Sequence, residues 1–275
     1  LIGNPAAARV RCEYAAAAAG PVLEAKVAAL PDYPGSPLFS AAERDVVEFT
    51  EQFVIDVGGT PEDMRAELTE RYGTDGARAL VTAIYVVEFT QRLQLIAARL
   101  LGDAEPPAAG SFAAVGASPA GLLDAYQAAV VRGSALDPVT TELVRLRCAR
   151  THHCRICQTL RLADARAAGV DEAMAAKVDR YERSDLPERA KVALRVTDAF
   201  ITRPELLSEA VAGQARASFG PAELASLCLD ITKWSTQKIK VALGTDGADR
   251  LVTDSDGVAL FGFDSGGQVT GYRRR

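Results

Sequence analysis

The chain has 275 residues, with 31 basic against 36 acidic side chains, a net charge of −5 and a pI near 5.3. At 48 % hydrophobic and 24 % charged it has the composition of a globular protein with a sizeable core. Its mild acidity argues against nucleic acid or an anionic membrane as the main partner.

No uninterrupted apolar run reaches the roughly 18 residues of a bilayer span, and the opening ten residues lack the order of a signal peptide. Five cysteines, Cys12, Cys148, Cys154, Cys157 and Cys228, are an odd number in a long chain. They do not read as a secreted disulfide framework, so the expected location is a reducing compartment, the cytoplasm.

Alanine, leucine, glutamate and arginine dominate, and they favour helix. A short amphipathic stretch over Leu23–Leu30 is broken by Pro31, Pro34, Gly35 and Pro37. Ser40 with Glu43 forms a capping box that opens a helix through Phe49 and Phe53. Gly58-Gly59 stops it, and Thr60-Pro61 reads as N-cap and first residue of the next helix, which Tyr72-Gly73 ends. A long apolar helix follows from about Gly76 to Leu101.

Residues 103–120, rich in proline, glycine, alanine and serine, read as a linker between two halves, 1–102 and 121–244. In the second half, helices are expected over Leu122–Val131, from Asp137-Pro138 to Arg150, from Cys154 to Ala168 with Gly169 as stop, and from Asp171 to Tyr181. Further helices run from Glu188 to Ile201, from Pro204 to Phe219, and from Pro221 to Leu243. The tail, 245–275, alternates short β-prone runs with Asp256-Gly257 and Gly266-Gly267, which predicts a small terminal hairpin.

A weak internal repeat at an offset of about 146 residues pairs Phe49–Phe53 with Val196–Phe200, Tyr72-Gly73 with Phe219-Gly220, and Thr90–Leu93 with Thr236–Ile239. The expected fold is therefore all-α, a duplicated helical bundle with a short β-hairpin-like tail. The competing explanation is that alanine-rich helices resemble one another.

Chemistry concentrates between Glu142 and Arg161. In one continuous helix, Cys154, Cys157 and Arg161 share a face, with the apolar stripe Ile156, Leu160, Ala163 and Ala167 beside it. The dithiol falls at the helix start, where free N–H groups and the dipole favour a thiolate. Arg161 adds a positive charge, and His152 and His153 lie next to Cys154 as proton carriers.

Glu142, twelve residues before Cys154, the Cys154-x-x-Cys157 pair and the stop at Gly169 resemble the alkylhydroperoxidase D branch of the carboxymuconolactone decarboxylase-like family. The resemblance covers 121–244 well, and 36–102 as a second, degenerate copy without the CxxC. It implies an all-helical homo-oligomer, a dimer or trimer, acting as a thiol-dependent peroxidase or disulfide oxidoreductase. The substrate would be a hydroperoxide or disulfide and the reductant a dithiol protein or small thiol, with no added cofactor or metal.

By position, Cys157 would attack, Cys154 would resolve, and Glu142 would be the base. Two features depart from the family: Arg161 stands where its peroxidases carry histidine, and Ile156 stands inside the CxxC. Arginine holds its proton, so His153 is the substitute carrier and Arg161 a thiolate or anion partner.

Three plainer readings compete. Two cysteines at this spacing can simply pack. They can bind zinc with His153 and with Glu142 or His152. Glu142 can be a helix-surface residue paired with Arg145 three positions on. A non-catalytic helical oligomer is thus the alternative to an enzyme. Trp234 is expected in the core, and Cys148 and Cys228 as buried structural thiols.

Overall fold

In the computed structural model, which describes residues 21–102, 119–249 and 251–273, the chain is mainly α-helical with a small three-stranded sheet. Cys12, nearly all of the 103–120 segment, and Arg274 and Arg275 lie outside the described residues.

α1 spans Pro21–Ala29 and α2 spans Ala41–Asp56. The capping box is present: Glu43 N–H donates to Ser40 Oγ (3.3 Å) and Ser40 N–H to the Glu43 carboxylate (2.9 Å). After a 3₁₀ turn at Val57–Gly59 comes α3, Glu62–Leu101. Pro61 sits at its N-cap, one residue later than expected, because the Thr60 hydroxyl donates back to Val57 O at 2.8 Å. Gly73 interrupts α3 with φ 68° and ψ 169°, a backbone that only glycine adopts cheaply, so the two helices read from the sequence are joined by a sharp break.

By length and composition alone α3 would pass for a membrane span, although Glu88 and Arg92 interrupt its apolar run. Its Glu88 and Arg92 are buried inside the protein instead. Arg92 binds Glu88 and donates to Phe200 O (3.0 Å) and Thr202 O (3.1 Å), and Lys238 donates to both Glu88 oxygens.

The second half begins with α4 (Pro119–Gly133) and α5 (Pro138–Thr151), where Asp137 caps Thr140 N–H at 2.8 Å. The expected helix over 154–168 is broken. α6 covers only Arg155–Thr159, β1 is Leu160–Leu162, and α7 is Ala163–Ala167. The cause is buried Arg145, which donates to Cys157 O (2.8 Å) and Leu160 O (2.5 Å). A continuing helix would need those carbonyls for its own N–H groups.

α8 (Glu172–Ala176) runs into a 3₁₀ turn at Lys177–Arg183, and α9 (Glu188–Thr202), α10 (Glu209–Ser218), α11 (Pro221–Ser235) and α12 (Gln237–Ala242) follow. The order helix, 3₁₀ turn, helix, break, helix thus occurs at 41–101 and again at 188–242.

The tail forms the expected hairpin, β2 (Ala259–Phe263) antiparallel to β3 (Val269–Thr270). It also pairs in parallel with β1, Leu160 against Ala259 and Leu162 against Phe261, which the sequence did not reveal. Gly267 (φ 78°) presses the hairpin turn onto α4: a Cβ there would lie 2.5 Å from Ala128 O. One hydrophobic cluster joins α2 (Phe49, Phe53), α3 (Tyr85, Phe89), α9 (Phe200), α11 (Ile231) and β2 (Phe261).

Candidate active site

α5 ends at Thr151, and His153 then reverses the chain with φ 56°. The reversal sets Cys154 N–H on Ala149 O at 2.9 Å and places Cys154 at the N-cap of α6. His153 is exposed and packs against Gly58 so tightly that a Cβ there would meet its ring at 2.6 Å. Cys154 and Cys157 form a disulfide with Cα atoms 5.3 Å apart. Cys154 is fully buried, and Cys157 is half-buried.

The α6 N-terminus is not free, contrary to the sequence reading. Asp246, 91 residues on, accepts Arg155 N–H on its carboxylate and Ile156 N–H on its carbonyl, both at 2.9 Å, and pairs with the Arg155 guanidinium at 2.8 Å. Burial alone would raise the Asp246 carboxyl, but its bonds to Arg155 outweigh that and hold it below the usual range.

Glu142 is 0 % exposed and held by Arg145 through two parallel bonds of 2.6 and 2.7 Å. The partner foreseen from spacing is correct, but the pair is buried rather than solvated. Through Arg145 it grips the Cys157 carbonyl. Arg161 lies on β1 and not on α6, so it does not share a helix face with the cysteines. Its guanidinium binds Glu172 (2.9 and 2.6 Å) and the Gln158 and Leu160 carbonyls.

His152 is buried with Nε2 3.1 Å from Ser235 Oγ. Burial, reinforced by Lys238 and Arg92, pushes its pKa well below normal, so it is neutral. Among the described residues no three His, Cys, Asp or Glu side chains converge, which leaves the zinc reading without a ligand set. Cys148 and Cys228 are buried and free, their thiols pushed up to about 12 by desolvation.

Cys157 opens onto a cavity of about 550 Å³. Arg145, Lys233, Trp234, Gln237, Phe261 and Phe263 share the lining. Trp234, expected in the core, packs against the core and also forms cavity wall. The Lys233 ammonium stands 3.0 Å from the Trp234 ring centroid and 4.7 Å from that of Phe263. Burial drives its pKa down, Asp230 opposes this, and Arg145 adds to it. Trp234 Nε1 and Gln237 Nε2 are buried donors with no acceptor among the described residues. Each such donor costs about 1–3 kcal/mol.

Sequence reasoning missed Lys233, Gln237 and Asp246, and it read Arg145 only as a partner for Glu142. None of them carries a local motif: Arg145 and Asp246 hold backbone groups of residues 155–160, and Lys233 and Gln237 meet Cys157 only as lining of one cavity.

A model of the carboxymuconolactone decarboxylase family matches residues 120–199, which contain Cys154, Cys157, Glu142 and Arg145. Two proteins of Mycobacterium tuberculosis, the uncharacterized proteins MT2376 (strain CDC 1551 / Oshkosh) and Rv2313c (strain H37Rv), are each 36 % identical over 236 residues. The match spans 81 % of this chain and 82 % of each relative. No solved structure matches. A likeness over most of the chain, with the family match centred on the CxxC segment, makes this chain a member of the carboxymuconolactone decarboxylase family.

Proposed function

We propose that the chain is a dithiol–disulfide oxidoreductase of the alkylhydroperoxidase D type, with Cys157 as the thiol that meets substrate and Cys154 as its resolving partner. The observation that carries this is the asymmetry of the pair: Cys157 lines a cavity, while Cys154 is sealed beneath it. In the peroxidase reaction, the Cys157 thiolate attacks the outer oxygen of a hydroperoxide. The O–O bond breaks, the alcohol leaves with a proton, and a sulfenic acid remains on Cys157. The Cys154 thiol then attacks the sulfenic sulfur, the S–O bond breaks, the hydroxyl leaves as water with the Cys154 thiol proton, and the disulfide closes. A dithiol reductant returns two electrons and two protons.

Both Glu142 oxygens are engaged by Arg145, so in this scheme Glu142 is a positioning residue that acts through Arg145 on the Cys157 backbone. The engagement of Arg161 by Glu172 favours a second reading, thiol–disulfide exchange without peroxide reduction. Exchange needs no separate proton donor for an alkoxide.

Peroxide consumption with a dithiol reductant, on wild type and Cys157→Ser, separates the two. Turnover lost in the variant is the expected result. Reversible disulfide cycling without peroxide turnover selects the exchange reading. A dithiol that neither turns over nor cycles overturns both.

A further inference from the structure

Cys154 holds the position at which a CxxC thiol ordinarily ionises first. It is the N-cap of α6, and a thiolate at an N-cap is stabilised by the amides of the turn that follows. By that rule Cys154, not Cys157, would be the more acidic thiol. Burial acts the other way, since Cys154 has no exposed surface while Cys157 is half-buried.

The donors at this helix start are already committed. Asp246 accepts Arg155 N–H on its carboxylate and Ile156 N–H on its carbonyl, both at 2.9 Å. The Cys154 side chain accepts no cap bond. Arg155 N is bonded directly to the Cys154 carbonyl carbon, so the Asp246 carboxylate stands against the Cys154 peptide. That carboxylate is charged, because its bonds to Arg155 outweigh the effect of burial. Its side chain is 4 % exposed, whereas the Arg155 guanidinium that offsets it is 64 % exposed and screened by water. The charge that acts most strongly on the buried Cys154 sulfur is therefore negative.

The other titratable groups around this turn do not reverse that sign. His153 is exposed and packs on Gly58, and His152 is neutral. Asp249 adds a second negative charge on the Arg155 side, and Lys238 is bonded to Glu88. Asp246 itself lies outside residues 120–199, so the clasp is supplied by a part of the chain beyond the family match.

We propose that Asp246 is a positioning residue that takes the first amides of α6 away from Cys154, so that Cys157 is the thiol of the reduced pair that ionises. The role of Cys157 as attacking thiol rests on the dithiol function proposed above. The order of ionisation is a property of the reduced protein and needs no turnover.

Ultraviolet thiolate absorbance is followed against pH in the reduced protein. Cys157→Ser reports on Cys154, Cys154→Ser reports on Cys157, and the double variant supplies the background of the remaining cysteines and tyrosines. Cys157 should ionise first, with Cys154 above the free-thiol value of about 8.5. Asp246→Asn keeps an acceptor for the Arg155 amide but removes the charge. It should raise the acid dissociation constant of Cys154 about tenfold and move that of Cys157 less. Arg155→Met leaves the Asp246 charge unopposed and should lower the Cys154 constant about threefold.

A turn merely loosened by these changes would carry Cys154 toward the free value in both variants. A rise in both therefore overturns the inference, as does a Cys154 unmoved by either change or more acidic than Cys157 in wild type. Should Asp246→Asn not fold, Arg155→Met, at an exposed side chain, carries the test by the direction of its shift. The predicted shifts in a protein whose disulfide does not cycle would sink the dithiol function and leave Asp246 its role. Disulfide cycling with Cys154 indifferent to Asp246 would do the reverse.

Discussion

Glu142 and Arg145 form a salt bridge with almost no exposed surface, and Arg145 also ties down the carbonyls of Cys157 and Leu160. Removing one member strands the other charge, so Glu142→Ala should cost about 3–5 kcal/mol in urea denaturation. The paired change Glu142→Leu with Arg145→Met should recover most of that stability. It should still impair dithiol turnover, because Cys157 loses its anchor; full turnover in the double variant would refute the positioning role.

The Glu88–Lys238–Arg92 cluster gives a pH test. Burial pushes Lys238 down from 10.5 to about 8, with Glu88 pulling it back up. Between those values the unfolded lysine holds its proton and the folded one has released it, so this residue makes stability rise with pH across that window. Cys148 and Cys228, raised from 9.0 to about 12, act oppositely, because their unfolded thiols ionise first. Comparing wild type with Lys238→Met isolates the lysine: above pH 8 the variant's stability should fall more steeply than that of wild type.

At the level of elements, the boundaries readable from the sequence are those set by neighbouring residues. Ser40 with Glu43, Asp137 with Pro138, the break at Gly73 and the stop at Gly169 (φ 97°) all act within a few positions, and all stand where the sequence puts them. The short α6 was not readable, because its two ends are fixed by distant groups: Asp246 at its start and Arg145, with strand β2, at its finish. The cysteines and their mutual proximity were legible, as was the Glu142–Arg145 pairing. The cavity beside Cys157 was not, since its lining residues meet only through the tertiary fold.

Asp246→Ala should cost about 1 kcal/mol, as for loss of a helix cap, and should speed hydrogen exchange at Arg155. Gly267→Ala is strained in φ and collides with the Ala128 backbone. It should loosen the hairpin from α4 and expose the cavity, read as a red shift of Trp234 emission.

Across the whole molecule, the hydrophobic cluster links α2 and α3 to α9, α11 and β2, so neither half closes its apolar surface alone. Heat or urea should therefore unfold the chain in a single transition reported identically by far-UV circular dichroism and by Trp234. Two resolved transitions would mean that the halves fold independently. The Arg92 bonds to the end of α9 and the Tyr85 hydroxyl bond to Thr232 O (2.5 Å) are polar ties across the same boundary.

The parallel pairing of β1 with β2 also bears on the order of events during synthesis. Leu162 meets Phe261, so the segment just after Cys157 waits for about a hundred further residues to be translated, roughly 5–20 s at ribosomal rates. The Phe261 wall is missing for all of that interval and the Asp246 cap for most of it, and the two thiols sit on an unfinished surface open to any passing oxidant. A nascent chain stalled before Asp246 should accordingly be alkylated at both Cys154 and Cys157, whereas the released, reduced protein should offer Cys157 first.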